Sequence, residues 1–491
     1  MIPVYLQKEL NILFFVIKKK NTSLRDISSS LGISKQTVKS NVVRINQSFE
    51  QYLKMKDFIS SDNTGTIRVK RQYEKQAVEC SYILKLKLLK QVVIFNYAVL
   101  LTTRSVIKKQ EIIELLFISE SYFTKLTYKL NTFLKPYNIK IIVSDNRVYL
   151  EGNEIFIRLF SYIFLQDSFQ DLEWPFSNIC IDEIKSTVPP EVLQTAHQRS
   201  NTKERSLYIL YAVLHTRIKE QNFIENPNSP ELLSFFELIT ENFDAALIFH
   251  KNGFGNLSLI NKKNEILVFN FLSRIFISDI IQREQKIQLG KTFSVQKHPY
   301  CVLSKQIYTR FSTLTSLVLS KEKEYMYIYY LSLIISSYNL IGNAFLSFVE
   351  LYIPKLVIYL PKKDAMADAI RETLSPIIDD ESHLELICNL LHSLLHSERS
   401  PKIKIYLQMT KDFTAIYVIK NRLSSLYNNI NISVTSDYSK ADIIVTDTLE
   451  KAKPDKHVFY LDSTRNMERW AELTTIIQDK FREKINLEGG V

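Results

Sequence analysis

Ser34, Lys35, Gln36, Thr37, Lys39, Ser40 and Arg44 crowd into one short stretch and supply the cations, amides and hydroxyls that bind phosphates and base edges in a DNA groove. Their spacing leaves Val38, Val42 and Ile45 as an inward apolar stripe on the same helix, which Ser34 is placed to cap. A shorter helix must come first, because Leu24, Ile27 and Leu31 fall at i, i+3 and i+7 and Gly32 stops the run. Two short helices joined across a glycine, the second basic and rich in hydroxyls, predict a helix-turn-helix that reads duplex DNA. A plain helical hairpin would share the inward stripe but not the capped basic face.

Other elements must position that pair. The apolar run from Leu10 to Ile17 predicts a helix packed beneath it. From Asp57 to Lys70, two short extended runs flank Asn63-Thr64-Gly65, a tight-turn signal. A hairpin directly after a recognition helix reads as a wing, with Arg68, Lys70 and Arg71 laid along the phosphates, where they add affinity and salt dependence more than sequence choice.

The same pattern then returns. Lys109 to Leu116 predicts a short helix with Ile112, Ile113 and Leu116 inward; Phe117-Ile118 makes the turn. Ser119 caps a longer helix whose Phe123, Leu126, Leu130 and Phe133 point inward. Ser121, Tyr122, Thr124, Lys125, Tyr128 and Lys129 are left outward. Pro136-Tyr137-Asn138 stops the helix, and Ile139 to Val143 with Arg147 to Leu150 predict a second hairpin. The front edge of this unit carries Glu111, Glu114 and Glu120, so a helical spacer that keeps the shape without touching DNA is the competing reading.

Charge follows the same division. Net charge is +11, yet residues 1–150 hold 25 Lys and Arg against 11 Asp and Glu, while the rest of the chain holds 38 against 41. The basic balance therefore belongs to the N-terminal third, as expected of a nucleic-acid-binding end attached to a body with another task. With 491 residues, 46% of them hydrophobic, the chain can build several cores. Cys80, Cys180, Cys301 and Cys388 are too far apart for a zinc motif or a redox pair, and are expected to be buried thiols in a reducing cytoplasm. The N-terminus has no basic leader with a cleavage site. The uncharged run Tyr325 to Val349 is long enough to span a bilayer. Its Asn339, Gly342, Asn343, serines and tyrosines instead predict buried helices with a turn at Tyr338 to Gly342 and no membrane contact.

From about residue 165 to 398 the pattern is helical, with breaks at Pro189-Pro190, Asn226-Pro227 and His298-Pro299 and a split into two bundles near Gly290. After Pro401 short strands alternate with helices: Lys402 to Leu407, Ile430 to Thr435, Ala441 to Thr446 and Val458 to Leu461, with helices at Ala415 to Tyr427 and Trp470 to Arg482. This predicts a small parallel α/β domain with a site-like position in the loop after its first strand. The whole is then a mainly α, multidomain chain: a winged helix-turn-helix at 1–72, a second at 73–165, helical bundles at 166–288 and 289–399, and the α/β domain at 400–491.

In that order the domains resemble the Mga and AtxA-like virulence regulators of Gram-positive bacteria, more closely the RofA-like branch. The resemblance rests on domain order and local patterns. It implies that the bundles are phosphotransferase-system (PTS) regulatory domains, or PRDs, and that the C-terminal domain is EIIB-like. The chain would then be a non-enzymatic, cofactor-free cytoplasmic transcription regulator. It would bind double-stranded promoter DNA, form a homodimer through its C-terminal domain, and be tuned by histidine phosphorylation from phosphocarrier proteins. Arg217 and Ile224-Glu225-Asn226-Pro227 resemble the regulatory-domain pattern, but Leu210 stands where an acceptor histidine is expected. Asn264-Glu265-Ile266 likewise resembles the lead-in to a second acceptor, whose position is Leu272. In the second bundle Glu385-Leu386 leads to His392, the first acceptor candidate, followed by His396 and then His215. An EIIB domain would carry a nucleophilic cysteine after its first strand, whereas Gln408 to Asp412 contains neither Cys nor Gly, which points to a docking surface. An RNA-binding PRD-type antiterminator and a PTS phosphotransfer component are the alternatives. The helix-turn-helix units disfavour the first and the missing cysteine the second.

Overall fold

The computed structural model describes residues 3–488, apart from 63–64, 188–200, 225–228, 241–256, 278–279, 346, 349–364, 399–401, 412–413, 428–430 and 449–456. Two compact units emerge, one from Met1–Lys291 with Ser336–Val357, the other from Thr292–Ile335 with Ile358–Val491.

The first unit opens with helix α1 (Val4–Lys19), strand β1 (Thr22–Ser23), helices α2 (Leu24–Leu31) and α3 (Lys35–Leu53), and strands β2 (Ile59–Ser61) and β3 (Thr66–Val69). Helix α1 starts six residues earlier than its apolar run suggests. Ile12, Leu13 and Val16 of α1, Ile27 of α2 and Val38, Ile45 and Phe49 of α3 close over Phe58 and the hairpin. Phe49 and Phe58 stack with centroids 3.6 Å apart. The strand order is β1-β3-β2, antiparallel, so the two-residue β1 turns the hairpin into a three-stranded sheet.

Helix α4 (Ala77–Leu89) leads to α5 (Val93–Thr103), β4 (Val106–Lys108), α6 (Lys109–Leu116), α7 (Glu120–Leu134), β5 (Ile139–Ser144) and β6 (Arg147–Gly152), with sheet order β4-β6-β5. This is the first arrangement over again. Gly152 ends β6 at φ 150°, and a Cβ there would stand 2.6 Å from the Asn138 carbonyl oxygen. One residue on, the Asn153 side chain accepts from the Ile155 N–H and caps α8 (Glu154–Phe169), which is buried along nearly its whole length.

Helices α9 (Ile181–Thr187), α10 (Asn201–Lys219), α11 (Pro230–Thr240) and α12 (Leu259–Phe276) belong to the same unit, with α10 packed directly on α8. The split expected near Gly290 falls inside a helix, α13 (Arg283–Val295). The second unit holds α14 (Pro299–Thr315) and most of α15 (Lys321–Ile341). The turn expected from Tyr338 comes later: α15 runs on to Ile341 and the break is at Gly342, φ 60°. Among the described residues no helix is long and apolar enough to cross a membrane. Cys80, Cys301 and Cys388 are buried as expected; Cys180 is exposed, against expectation.

Helices α16 (Ala365–Leu374) and α17 (Glu381–Glu398) precede the C-terminal sheet, formed by β7 (Ile403–Gln408), β8 (Ile432–Thr435), β9 (Ile443–Thr446) and β10 (His457–Tyr460). All pairings are parallel in the order β10-β9-β7-β8. Alternate β7 residues Ile403, Ile405 and Leu407 join Ile443, Val445 and Phe459 in one core with α18 (Ala415–Leu426) and α19 (Met467–Glu488). Asn226-Pro227 and Pro189-Pro190, two of the expected breaks, lie outside the described residues.

Candidate nucleic-acid interface

The two helix-turn-helix segments superpose in sequence without a gap. Adding 85 to a residue number carries α2 onto α6, turn onto turn and the start of α3 onto the start of α7, as from Ser34 to Ser119. Both serines cap: Ser34 Oγ accepts from the Thr37 N–H at 3.1 Å, Ser119 Oγ from the Tyr122 N–H at 3.3 Å. The buried residues coincide as well, Val38, Asn41, Ile45 and Phe49 against Phe123, Leu126, Leu130 and Leu134.

Outward of that stripe in the first repeat, Lys35, Gln36, Lys39, Ser40 and Arg44 are exposed and Thr37 is half-buried. Ser34 Oγ also meets Thr37 Oγ1 at 2.8 Å, so both hydroxyls already serve the cap. Ser40 Oγ donates to the Thr37 carbonyl. Arg44 reaches back to Glu9 on α1 at 3.5 Å, and burial holds the Glu9 carboxyl above its ordinary range despite that guanidinium. Lys35, Gln36 and Lys39 therefore present the most direct polar contacts of this helix. In the wing Arg68 and Lys70 are half-buried and Arg71 is exposed, with Lys70 4.0 Å from Asp57. Asn63 and Thr64 of the expected wing turn lie outside the described residues; Gly65 beside them takes φ 80°.

In the second repeat Ser121, Tyr122, Thr124, Lys125, Tyr128 and Lys129 are all exposed, as the spacing requires. Its acidic edge is partly neutralised: Lys109 pairs with Glu120 at 3.4 Å and Arg104 with Glu111.

One recurring device is not predicted by periodicity. Asn46 donates from Nδ2 to the Ile59 carbonyl and accepts the Ile59 N–H at Oδ1, both at 2.8 Å. Asn131, 85 residues on, does the same to Ile141, at 3.3 and 2.6 Å. Each amide bolts the second helix of the pair to the first strand of its own hairpin, so helix and hairpin form one surface. The signal in the sequence is an Asn twelve residues after the capping Ser in both copies.

Residues 82–165 match the Mga helix-turn-helix domain. The Mga match runs from within α4 to within α8 and takes in the whole second repeat. No curated protein matches the chain. The first repeat lies outside the Mga match, and its helix-turn-helix character rests on its own geometry and on the 85-residue correspondence.

The other predicted site residues are scattered. Leu210 and Leu272 are core residues. Arg217 is spent on structure: it grips Glu154, at the start of α8, from Nε at 2.9 Å and Nη2 at 2.6 Å. Arg158 bonds Glu154, the Asn222 carbonyl and both oxygens of Glu265, whose Oε1 also accepts the Ile224 N–H. The pattern residues Arg217 and Glu265 thus sit in one buried ionic cluster tying α8 to α10 and α12. His215 is half-buried, and burial, then Lys219, lower its pKa from the ordinary value. His392 on α17 is 5% exposed, so a phosphoryl donor can reach it only if that helix opens. The His396 side chain lies outside the described residues.

In the C-terminal domain the loop after β7 faces Asp447, which follows β9. Strand order reverses between β7 and β9, the place where open parallel sheets bind ligands. Here Asp447 fills it: its carboxylate accepts the N–H groups of Thr410 and Lys411 and the Thr410 hydroxyl at 2.8 to 3.0 Å. Burial works against the charge, but these donors prevail and hold the Asp447 carboxyl below its ordinary pKa. The Thr410 and Lys411 N–H groups, which could cradle an anion, are already taken by the chain itself.

Proposed function

We propose that this protein is a cytoplasmic transcription regulator of the Mga-like kind that binds duplex promoter DNA through both helix-turn-helix repeats. The observation that carries the reading is the second repeat, which matches the Mga helix-turn-helix domain and aligns in register with a more basic copy at the N-terminus. The basic excess in residues 1–150 supports it, since it lies on these units. The two helical bundles act as PTS-type regulatory domains and the C-terminal domain as an EIIB-like dimerisation surface without phosphotransfer chemistry. Asp447, bonded into the loop after β7, supports that last assignment. Tuning by phosphocarrier proteins acts through His392, with His396 and His215 as further acceptors, and requires α17 to open.

The test is a salt titration against duplex DNA from upstream of the protein's own gene, with single-stranded RNA as competitor. Steeply salt-dependent duplex binding that RNA does not displace is expected. The pair Lys35→Ala and Lys39→Ala should weaken it at least about tenfold and flatten the slope by about one unit per lost phosphate contact. Preference for RNA would overturn the reading in favour of an antiterminator.

A further inference from the structure

Phe117 occupies a position for which folding offers no reason. It ends α6 in the left-handed conformation, φ 53° and ψ 48°, and its side chain is 96% exposed. Its counterpart in the first repeat is Gly32, which ends α2 at φ 64° and ψ 33°. This backbone favours glycine, because a Cβ strains it, and a bulky side chain there is rare. Room does not explain the difference either, since a Cβ on Gly32 would meet no atom within 4 Å. Phe117 thus brings strain and sets a large apolar ring in water.

The ring has company. Tyr128, 77% exposed, stands one turn along α7 from Thr124 and Lys125, and Tyr122 is exposed in the first turn. Their counterparts in the first repeat are Val43 and Thr37. Lys125 and Lys129 lie between the two tyrosines around α7, so its exposed face mixes aromatic rings with cations suited to phosphates. Phe117 itself lies just ahead of the N-terminal end of α7, the end that helix-turn-helix docking brings to base edges.

We propose that Phe117, with Tyr122 and Tyr128, reads thymine 5-methyl groups in the major groove. The second repeat adds apolar base contacts to the polar ones that the first repeat offers. Thymine is the base whose major-groove edge carries a methyl group, and phenylalanine is among the side chains that contact it. The inference rests on the DNA-binding reading above.

The test starts from a duplex selected by the wild-type chain out of a random pool and compares it with the same duplex in which uracil replaces thymine. Wild type should lose about tenfold in affinity on uracil DNA, the scale of one good base contact. Phe117→Gly should keep its melting temperature, since glycine suits that backbone. It should bind thymine DNA more weakly than wild type and lose part of the preference over uracil DNA, with the salt slope unchanged because no phosphate contact is lost. Equal wild-type affinity for the two duplexes, or a Phe117→Gly variant that discriminates between them as strongly as the wild type, overturns the proposal and turns Phe117 toward a protein partner. If the wild type selects no duplex at all, the DNA-binding reading falls and this inference with it.

Discussion

Asp447 shows how one side chain can settle what a loop is able to do. In a parallel sheet, the N–H groups at the strand-order reversal are natural anion holders, and Asp447 is an anion that never leaves. Its folded pKa is lowered, so its stabilisation is fully present above the unfolded value of about 3.9 and is lost as pH falls through the lower folded value. We expect Asp447→Asn to lower the denaturation midpoint of the C-terminal domain at pH 7 and to remove part of its acid dependence, so that the two proteins converge in strong acid. Urea titrations at several pH values would measure this, and parallel curves for both proteins would contradict it. Only half of this site is legible in the sequence. The absence of cysteine from Gln408 to Asp412 can be read directly, but the partner of Thr410 lies 37 residues away, just past the end of a strand brought alongside by the sheet.

At the scale of elements, the ionic cluster around α8 governs how the second repeat is attached to the helices that follow. Arg158 and Glu265 are 1% and 0% exposed, and neither charge can be left alone without a large desolvation cost. Arg158→Met should therefore destabilise the first unit by about 3–5 kcal/mol, and adding Glu265→Gln should restore part of the loss. Equilibrium urea unfolding of the single and double variants tests the pair; additive losses would mean that they act independently. Elements with one apolar face are legible in the sequence: α2, α3, α6, α7 and both wings follow from periods of 3.6 and 2. The helix α5 is not, because Ile94, Phe95, Tyr97, Ala98 and Leu101 bury it on several sides and leave no polar stripe to count. Strands β1 and β4, two and three residues long, are too short to show any period and exist because β3 and β6 offer them a free edge.

For the whole molecule, the excess of 25 cations over 11 anions in residues 1–150 sets the long-range attraction to a polyanion; in the dimer proposed above, the C-terminal domain would set how many such ends act together. On α18, Tyr417 is an exposed aromatic side chain on the face opposite Ala415, Ile419 and Leu423, which are core. We expect Tyr417→Glu to shift the sedimentation coefficient toward monomer without altering the melting temperature. It should also weaken duplex binding, because two half-sites no longer combine. An unchanged sedimentation coefficient would remove α18 from the dimer surface. The small parallel sheet near the C-terminus is legible from the change of periodicity after Pro401. The 85-residue register between the repeats emerges only when helix ends and caps are laid side by side.

The junction at Gly152, Asn153 and Glu154 has a mechanical meaning. Strand β6 passes into α8 with no linker, Gly152 fits against Asn138 where no side chain could, and Glu154 is already clasped by Arg217 and Arg158. Slack at this point would let the helices shift while the reader stayed idle. Without it, the wing is the free end of a stiff lever whose fulcrum is a salt bridge, and a tilt of α8 is a tilt of the wing.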